Sequence, residues 1–130
     1  MIAIGEASRQ SGVSIETIRY YEREGIISKA GRTASGRRLY SKKAIAELRF
    51  VKRCRDLGFS IQHAIALKAL TQEAGDTCQS AAEVGQKHLS EVQAKIEELR
   101  RLESALLELV GNCAEGRRDC PMLEALMTQN

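Results

Sequence analysis

The 130-residue chain contains no tryptophan, one proline, two histidines and few aromatic residues. All of its rings, Tyr20, Tyr21, Tyr40, Phe50 and Phe59, lie in the first sixty residues, so the folded core is expected near the N-terminus. With His63 and His88 as the only imidazoles, no Ser/His/Asp set can be assembled, and neither a phosphate-binding glycine loop nor a paired-carboxylate pocket can be found. Enzymatic chemistry is therefore not expected. The start, MIAIGEAS, has neither a basic segment nor a long apolar run, and no stretch approaches the roughly 20 apolar residues that cross a bilayer. The expectation is a cytoplasmic protein with no membrane partner. In a reducing compartment its four cysteines are expected to act as thiols, metal ligands or redox sensors rather than as structural disulfides.

What is present is unevenly distributed. Residues 1–60 hold 13 Lys/Arg against 6 Asp/Glu, whereas residues 61–130 hold 7 against 11. The modest overall charge of +3 thus conceals a basic front and an acidic rear. Such a front suits a polyanion, most economically nucleic acid. The plainer alternative is a solvated basic face without a partner.

The rear is organised by one stretch, from about Ser80 to Val110. Its apolar residues Val84, Leu89, Val92, Ile96, Leu99, Leu102, Leu106, Leu109 and Val110 recur mostly at steps of three and four, without proline, as in one long helix carrying a seam. If helical throughout, the segment from Cys78 to Cys113 spans roughly 50 Å, so those thiols cannot meet within one chain. Two copies paired antiparallel along the seam would place Cys78 of one subunit near Cys113 and Cys120 of the other. Each leucine left uncovered forfeits about 1.5–3 kcal/mol, which favours a dimer over a lone subunit. A helix folded onto its own domain is the alternative.

The front reads as a helix from Gly5 to Gln10, a turn at Gly12, and a second helix from Ile15 to about Arg23 capped by Ser14. Ile15, Ile18 and Tyr21 fall on its inward face, leaving Glu16, Thr17, Arg19, Tyr20 and Arg23 for the other surfaces. This is a helix-turn-helix, whose second member can enter a major groove. The segment Lys29–Arg38, with Gly31, Gly36 and the cations Lys29, Arg32, Arg37 and Arg38, suits a hairpin wing lying against phosphates, or else a plain solvated loop. Ser41 caps a third helix, Lys42–Leu57, in which Cys54 serves as a small buried hydrophobe. Ser60 caps a fourth, Ile61–Leu70, and a short last helix covers Met122–Met127. The domains expected are thus a winged helix-turn-helix unit with a second helix pair (1–74), a dimerisation helix (75–111), and a metal-binding loop with a short helix (112–130).

Cys113 and Cys120 bracket a glycine-containing loop that can turn both sulfurs to one point. Joined by Cys78 of a second subunit, three thiolates favour soft ions such as mercury, cadmium, lead or zinc over magnesium, calcium or manganese. His88 is a candidate outer ligand, or an ordinary exposed histidine. A reversible disulfide, or two idle thiols, is the alternative for the loop pair.

The segments IGEASRQSGVSIETIRYYEREGII and GRRLYSKKAIAELRFVKRCRDLGFS closely resemble the MerR family of bacterial transcription regulators, and the likeness runs through the long helix to the cysteine-bearing tail. The resemblance implies a mainly α fold, with a winged helix-turn-helix followed by an antiparallel coiled-coil homodimer. It also implies promoter DNA as partner, with RNA polymerase activated when effector-bound protein bends and untwists an overlong spacer. On the same basis Thr17, Arg19 and Tyr20 look like recognition-helix contacts, Arg37, Arg38 and Tyr40 look like wing contacts, and Cys78, Cys113 and Cys120 look like effector ligands. Cysteine at position 78 resembles the sensors of divalent ions; copper(I) and gold sensors usually carry serine there and use the two loop cysteines alone. EELRRLESALLELV and RFVKRCRDLGFS look most like mercury sensors, whereas the short Cys113–Cys120 loop resembles the cadmium and lead sensors. The expected effector is a divalent soft metal ion (Hg, Cd, Pb or Zn). The alternatives are a copper(I) or gold sensor and, in another class, a thiol redox switch or structural zinc module.

Overall fold

Short-range chemistry sets most of the helix starts. In the computed structural model, which describes residues 1–73, 75, 77–111 and 121–128, the elements run β1 (Ile2–Ala3), α1 (Ile4–Ser11), α2 (Ile15–Arg23), β2 (Gly31–Arg32), β3 (Arg38–Tyr40), α3 (Lys42–Asp56), α4 (Ile61–Leu70), α5 (Thr77–Gly111) and α6 (Pro121–Thr128). Ser14, Ser41 and Ser60 each sit in extended backbone one residue before a helix and accept a hydrogen bond from the amide three residues on: Thr17 at 3.2 Å, Ala44 at 3.1 Å and His63 at 3.1 Å. Each cap satisfies an amide that the helix itself leaves without a partner. Gly12 closes α1 at φ 75°, a left-handed conformation that side chains other than glycine rarely adopt, and so turns the chain into α2.

The chain forms two compact units, Met1–Gly85 and Gln86–Asn130, the boundary falling inside α5. In the first, α1 and α2 pack on each other, α1 packs on α3, and α3 on α4. Their shared core includes Ala7, Ile18, Leu48, Val51 and Ala64, all essentially closed to solvent. A small antiparallel sheet in the order β1-β3-β2 borders this core, with Ile2 opposite Tyr40 and Gly31 opposite Leu39. Strand β1 was not foreseen, because two residues are too short to show the alternation by which a strand is recognised.

Two core assignments change. Ile15, expected inward, is 38% exposed, while Val13 in the preceding turn is 5% exposed and takes the apolar place beside Ile18. Tyr40, implied as a wing contact, is fully buried. Cys54 is buried as expected, and burial pushes its thiol up from the usual range.

In the second unit, no residue of α5 or α6 among those described is buried. Leu99, Leu102, Leu106, Leu107 and Val110 form an apolar strip on α5, and Leu123, Leu126 and Met127 lie exposed on α6. No described helix is long and apolar enough to cross a membrane.

Candidate nucleic-acid interface and metal-ligand positions

On α2 the burial of Ile18 turns Arg19 and Tyr20 outward. Thr17 is half-buried, and its hydroxyl accepts a 2.8 Å hydrogen bond from Ser14, so the cap also orients this side chain. Tyr20 is 46% exposed, with the Arg23 guanidinium 5.5 Å from its ring centroid. That stacking holds a cation and an aromatic face together on the free side of the helix.

The wing is a hairpin of β2 and β3. At its tip Gly36, at φ 86°, donates to the Thr33 carbonyl at 2.9 Å, the Thr33 hydroxyl accepts from the Arg37 amide at 3.0 Å, and Arg37 itself points into solvent. Arg32 reaches back to the Gly36 carbonyl at 3.0 Å. Arg38 is half-buried, its Nε 3.0 Å from Glu22 Oε1, an ion pair in which the N–H is not aligned for a hydrogen bond. Between α2 and the wing lie two open clefts of about 540 and 340 Å³, and Arg19, Arg32 and Arg38 line both. Arg23 and Lys29 complete the larger, Arg37 the smaller. A ridge of guanidinium groups between two hollows suits successive phosphates of a nucleic-acid strand, since Arg offers a planar fork of donors to phosphate oxygens.

Beneath this surface the Tyr40 hydroxyl has no hydrogen-bond partner among the described residues. Burial, then the neighbouring Glu22 carboxylate, raise its pKa despite the opposing arginines 38, 19 and 32. The ring fills space under the wing, and direct phosphate contact would require its covering side chains to part.

Cys78 lies in the first turn of α5, exposed and unbonded. It borders an apolar groove of about 430 Å³ together with Cys54, Phe50, Leu57, Leu67 and Leu70. Cys113 and Cys120 lie outside the described residues. The position of His88, considered as an outer ligand, is on α5 with Nδ1 4.0 Å from Glu91 Oε2. Among the described residues no three His, Cys, Asp or Glu side chains converge on one point.

A family model for the MerR HTH family regulatory protein matches residues 2–70, and one for MerR, DNA binding, matches residues 45–109. The chain belongs to the MerR family. It is 41% identical over 124 residues to the HTH-type transcriptional regulator HmrR of Sinorhizobium medicae, covering 95% of this chain and 84% of that protein. Over 126 residues it is 36% identical to the mercuric resistance operon regulatory protein of Bacillus cereus, covering 95% and 96% of the two. The structure of the transcription regulator PbrR691 from Ralstonia metallidurans CH34, in complex with lead(II), matches with a TM-score of 0.81 at 30% identity, covering 97% of this chain and 99% of that one.

Membership of the MerR family makes the chain a DNA-binding transcription regulator and not an enzyme. Lys29, Arg23 and Arg32 were absent from the contact set that the resemblance implied, yet they share the clefts with Arg19 and Arg38. For Lys29 and Arg32 the signal in the sequence is the density of cations in the wing segment, and for Arg23 its place on the outward surface of α2. In this MerR chain Glu22 also joins the interface: Oε2 accepts the Ala30 amide at 2.6 Å while Oε1 pairs with Arg38, so one carboxylate ties the recognition helix to both ends of the wing.

Proposed function

We propose that the chain works as a cytoplasmic homodimer, switched by a divalent soft metal ion, which activates transcription from promoter DNA. The observation that carries this reading is on α5, where one helix presents an exposed thiol at its start and an uncovered apolar strip further along. A second copy lying antiparallel covers the strip as a coiled coil and brings Cys113 and Cys120 of the partner subunit toward Cys78. Functionally, residues 1–74 then form the DNA-binding part, 75–111 the dimerisation helix, and 112–130 the metal-binding loop and final helix.

Three sulfurs are a donor set for soft cations, and the exposure of Cys78 suits a ligand shared between subunits. Mercury(II) is placed ahead of cadmium, lead and zinc; the mercury-resistance relative and the lead-bound structure support this class. On the DNA, Thr17, Arg19 and Tyr20 meet the major groove, and Arg37 and Arg38 with Arg32 hold the backbone. Tyr40 supports them from below. Metal favours the dimer state that bends and untwists the promoter for RNA polymerase, through its higher affinity for that state.

The test is Cys78→Ser in the full-length reduced protein. Metal uptake is followed by thiolate absorption with mercury(II), cadmium(II), lead(II), zinc(II) and copper(I) in turn, and promoter transcription is followed in parallel. Loss of both uptake and induction by the divalent ions is expected. Undiminished induction by copper(I) would establish the two-cysteine copper reading instead. If the reduced wild type took up no metal, or if Arg19→Ala bound DNA as tightly as the wild type, a redox switch or structural zinc module would replace both.

A further inference from the structure

The segment from Ile26 to Ala30 joins the recognition helix to the wing, yet belongs to no helix or strand. Its first two amides, of Ile26 and Ile27, donate to the Tyr21 carbonyl at the end of α2, at 2.8 and 3.4 Å, and beyond them side chains from other elements take hold. Glu47 on α3 accepts the Ser28 amide at 3.0 Å and the Ser28 hydroxyl at 2.8 Å through the same oxygen, Oε1. Its other oxygen is 2.9 Å from Lys68 Nζ on α4, and that ammonium also donates to the Ile26 carbonyl at 2.8 Å. Two helices thereby grip two successive points of one strap. At its far end the Ala30 amide is held by Glu22.

We propose that Glu47 and Lys68 are positioning residues for DNA binding: they fix the strap, and with it the placement of the wing relative to α2, so that Arg19 and the wing arginines meet one duplex together. The proposal rests on reading the α2-wing clefts as the phosphate-binding surface. Three observations favour it over a role in stability alone. The pair is largely withdrawn from water, with side-chain exposures of 12% for Glu47 and 23% for Lys68. A pair so placed bears a desolvation cost that apolar side chains of similar volume avoid, and what it offers in return is fixed geometry. Apolar anchoring of the strap is already supplied by Ile26 and Ile27, at 8% and 3% exposure. Burial of two isoleucines is non-directional, and the backbone bonds to α2 end at Ile27, whereas bonds to Ile26 O, Ser28 N and Ser28 Oγ direct the strap onward to the wing. Finally, the central strand β3 pairs with both β1 and β2, and among the described residues no strand pairing ties the wing to α2, so side-chain bonds must set its placement there.

The experiment uses the full-length chain and a duplex selected from a random-sequence pool on the wild type. Affinity is measured by fluorescence anisotropy over roughly 50–300 mM KCl for wild type, Glu47→Gln, Lys68→Met and the double variant. Each single variant, shown by circular dichroism to be folded at the assay temperature, is expected to bind about tenfold more weakly. Its salt dependence should be shallower by about 1 in log–log slope, because a displaced wing forfeits a phosphate contact. The double variant is expected to resemble the singles, since both side chains act on one strap. A role in stability alone lowers the melting temperature without moving the slope of the folded protein. Wild-type slopes in the folded variants, or losses that simply add in the double variant, would overturn the proposal. If Glu47→Gln does not fold, Lys68→Met decides, since it leaves the Ser28 bonds in place; failure of both to fold would show the pair to be structural and end the proposal. A wild type that selects no duplex defeats instead the reading of the clefts as a DNA surface.

Discussion

In the unit Met1–Gly85, Ile18, Leu48 and Val51 are wholly removed from solvent, whereas in Gln86–Asn130 the leucines 99, 102, 106 and 107 stand 63%, 53%, 54% and 66% exposed. The side chains are of the same kind; what differs is where the covering surface comes from. Four helices and a small sheet cover one another in the first unit, and that is enough to close a core. In the second, α5 carries its apolar residues along one strip that α6, itself bearing exposed Leu123, Leu126 and Met127, leaves open. Contiguous apolar surface of this kind marks an interaction site. The contrast suggests that the front of the molecule folds on its own account and the rear completes itself against a second copy.

Breaking the rear should have the largest effect. Replacing Leu99 and Leu106 together by Asp puts four charges into a two-chain seam, where each buried leucine contributes about 1.5–3 kcal/mol. The dimer constant is expected to weaken by more than about a thousandfold, a change of more than about 4 kcal/mol, with the protein sedimenting as a monomer and losing most of its DNA affinity. The circular dichroism of the first unit should survive. A stable dimer in the variant would show that the strip is covered by something other than a second copy.

Breaking the front tests the other side of the contrast. Leu48→Ala opens a cavity in a closed core and should cost about 2–5 kcal/mol in urea unfolding, independent of protein concentration. The cost of Leu102→Ala should depend on concentration instead, because it is lost only from the assembled state.

The same contrast explains how much of the molecule was legible beforehand. Helix starts at Ser14, Ser41 and Ser60 depend on a hydroxyl and an amide three residues apart, and the period of α5 repeats over 35 residues, so local reading suffices. Arg19 and Tyr20 could be placed outward because Ile18 had to be inward. Tyr40 could not be placed: RRLY reads as polar wing, and only the meeting of β3 with β1 and the core buries the ring. The Glu47 and Lys68 bonds to the strap join residues 19 and 42 positions apart, and Glu22 holds Ala30 across a turn, so no periodicity announces them. Of the proposed ligands only Cys78 lies among the described residues, where its exposure agrees with a shared role.

The smallest expected effect comes from acid, and it should separate carboxylates within the first unit. Burial alone would raise the Glu47 carboxyl, but Lys68 and Ser28 outweigh it and hold the group below its usual value. Glu6, partly exposed on α1, is lowered from 4.5 to about 2, chiefly by its hydrogen bonds with Arg9 and then Gln10. Both are depressed carboxylates, so their contribution to stability is fully present above the unfolded-state value and is lost as pH falls through the folded one. Stability of the first unit should therefore stay level above about pH 5 and decline toward pH 2. Glu47→Gln should remove part of that decline, at a cost near neutrality on the order of 1–2 kcal/mol, the scale of a hydrogen bond to a charged group. Glu6→Gln should change the neutral-pH stability far less, because its ion pair is open to water and screened. Urea unfolding of the three proteins at several pH values measures this. An acid decline of the same depth in Glu47→Gln as in wild type would mean that the buried carboxylate carries none of the pH dependence, and would place it on the exposed groups.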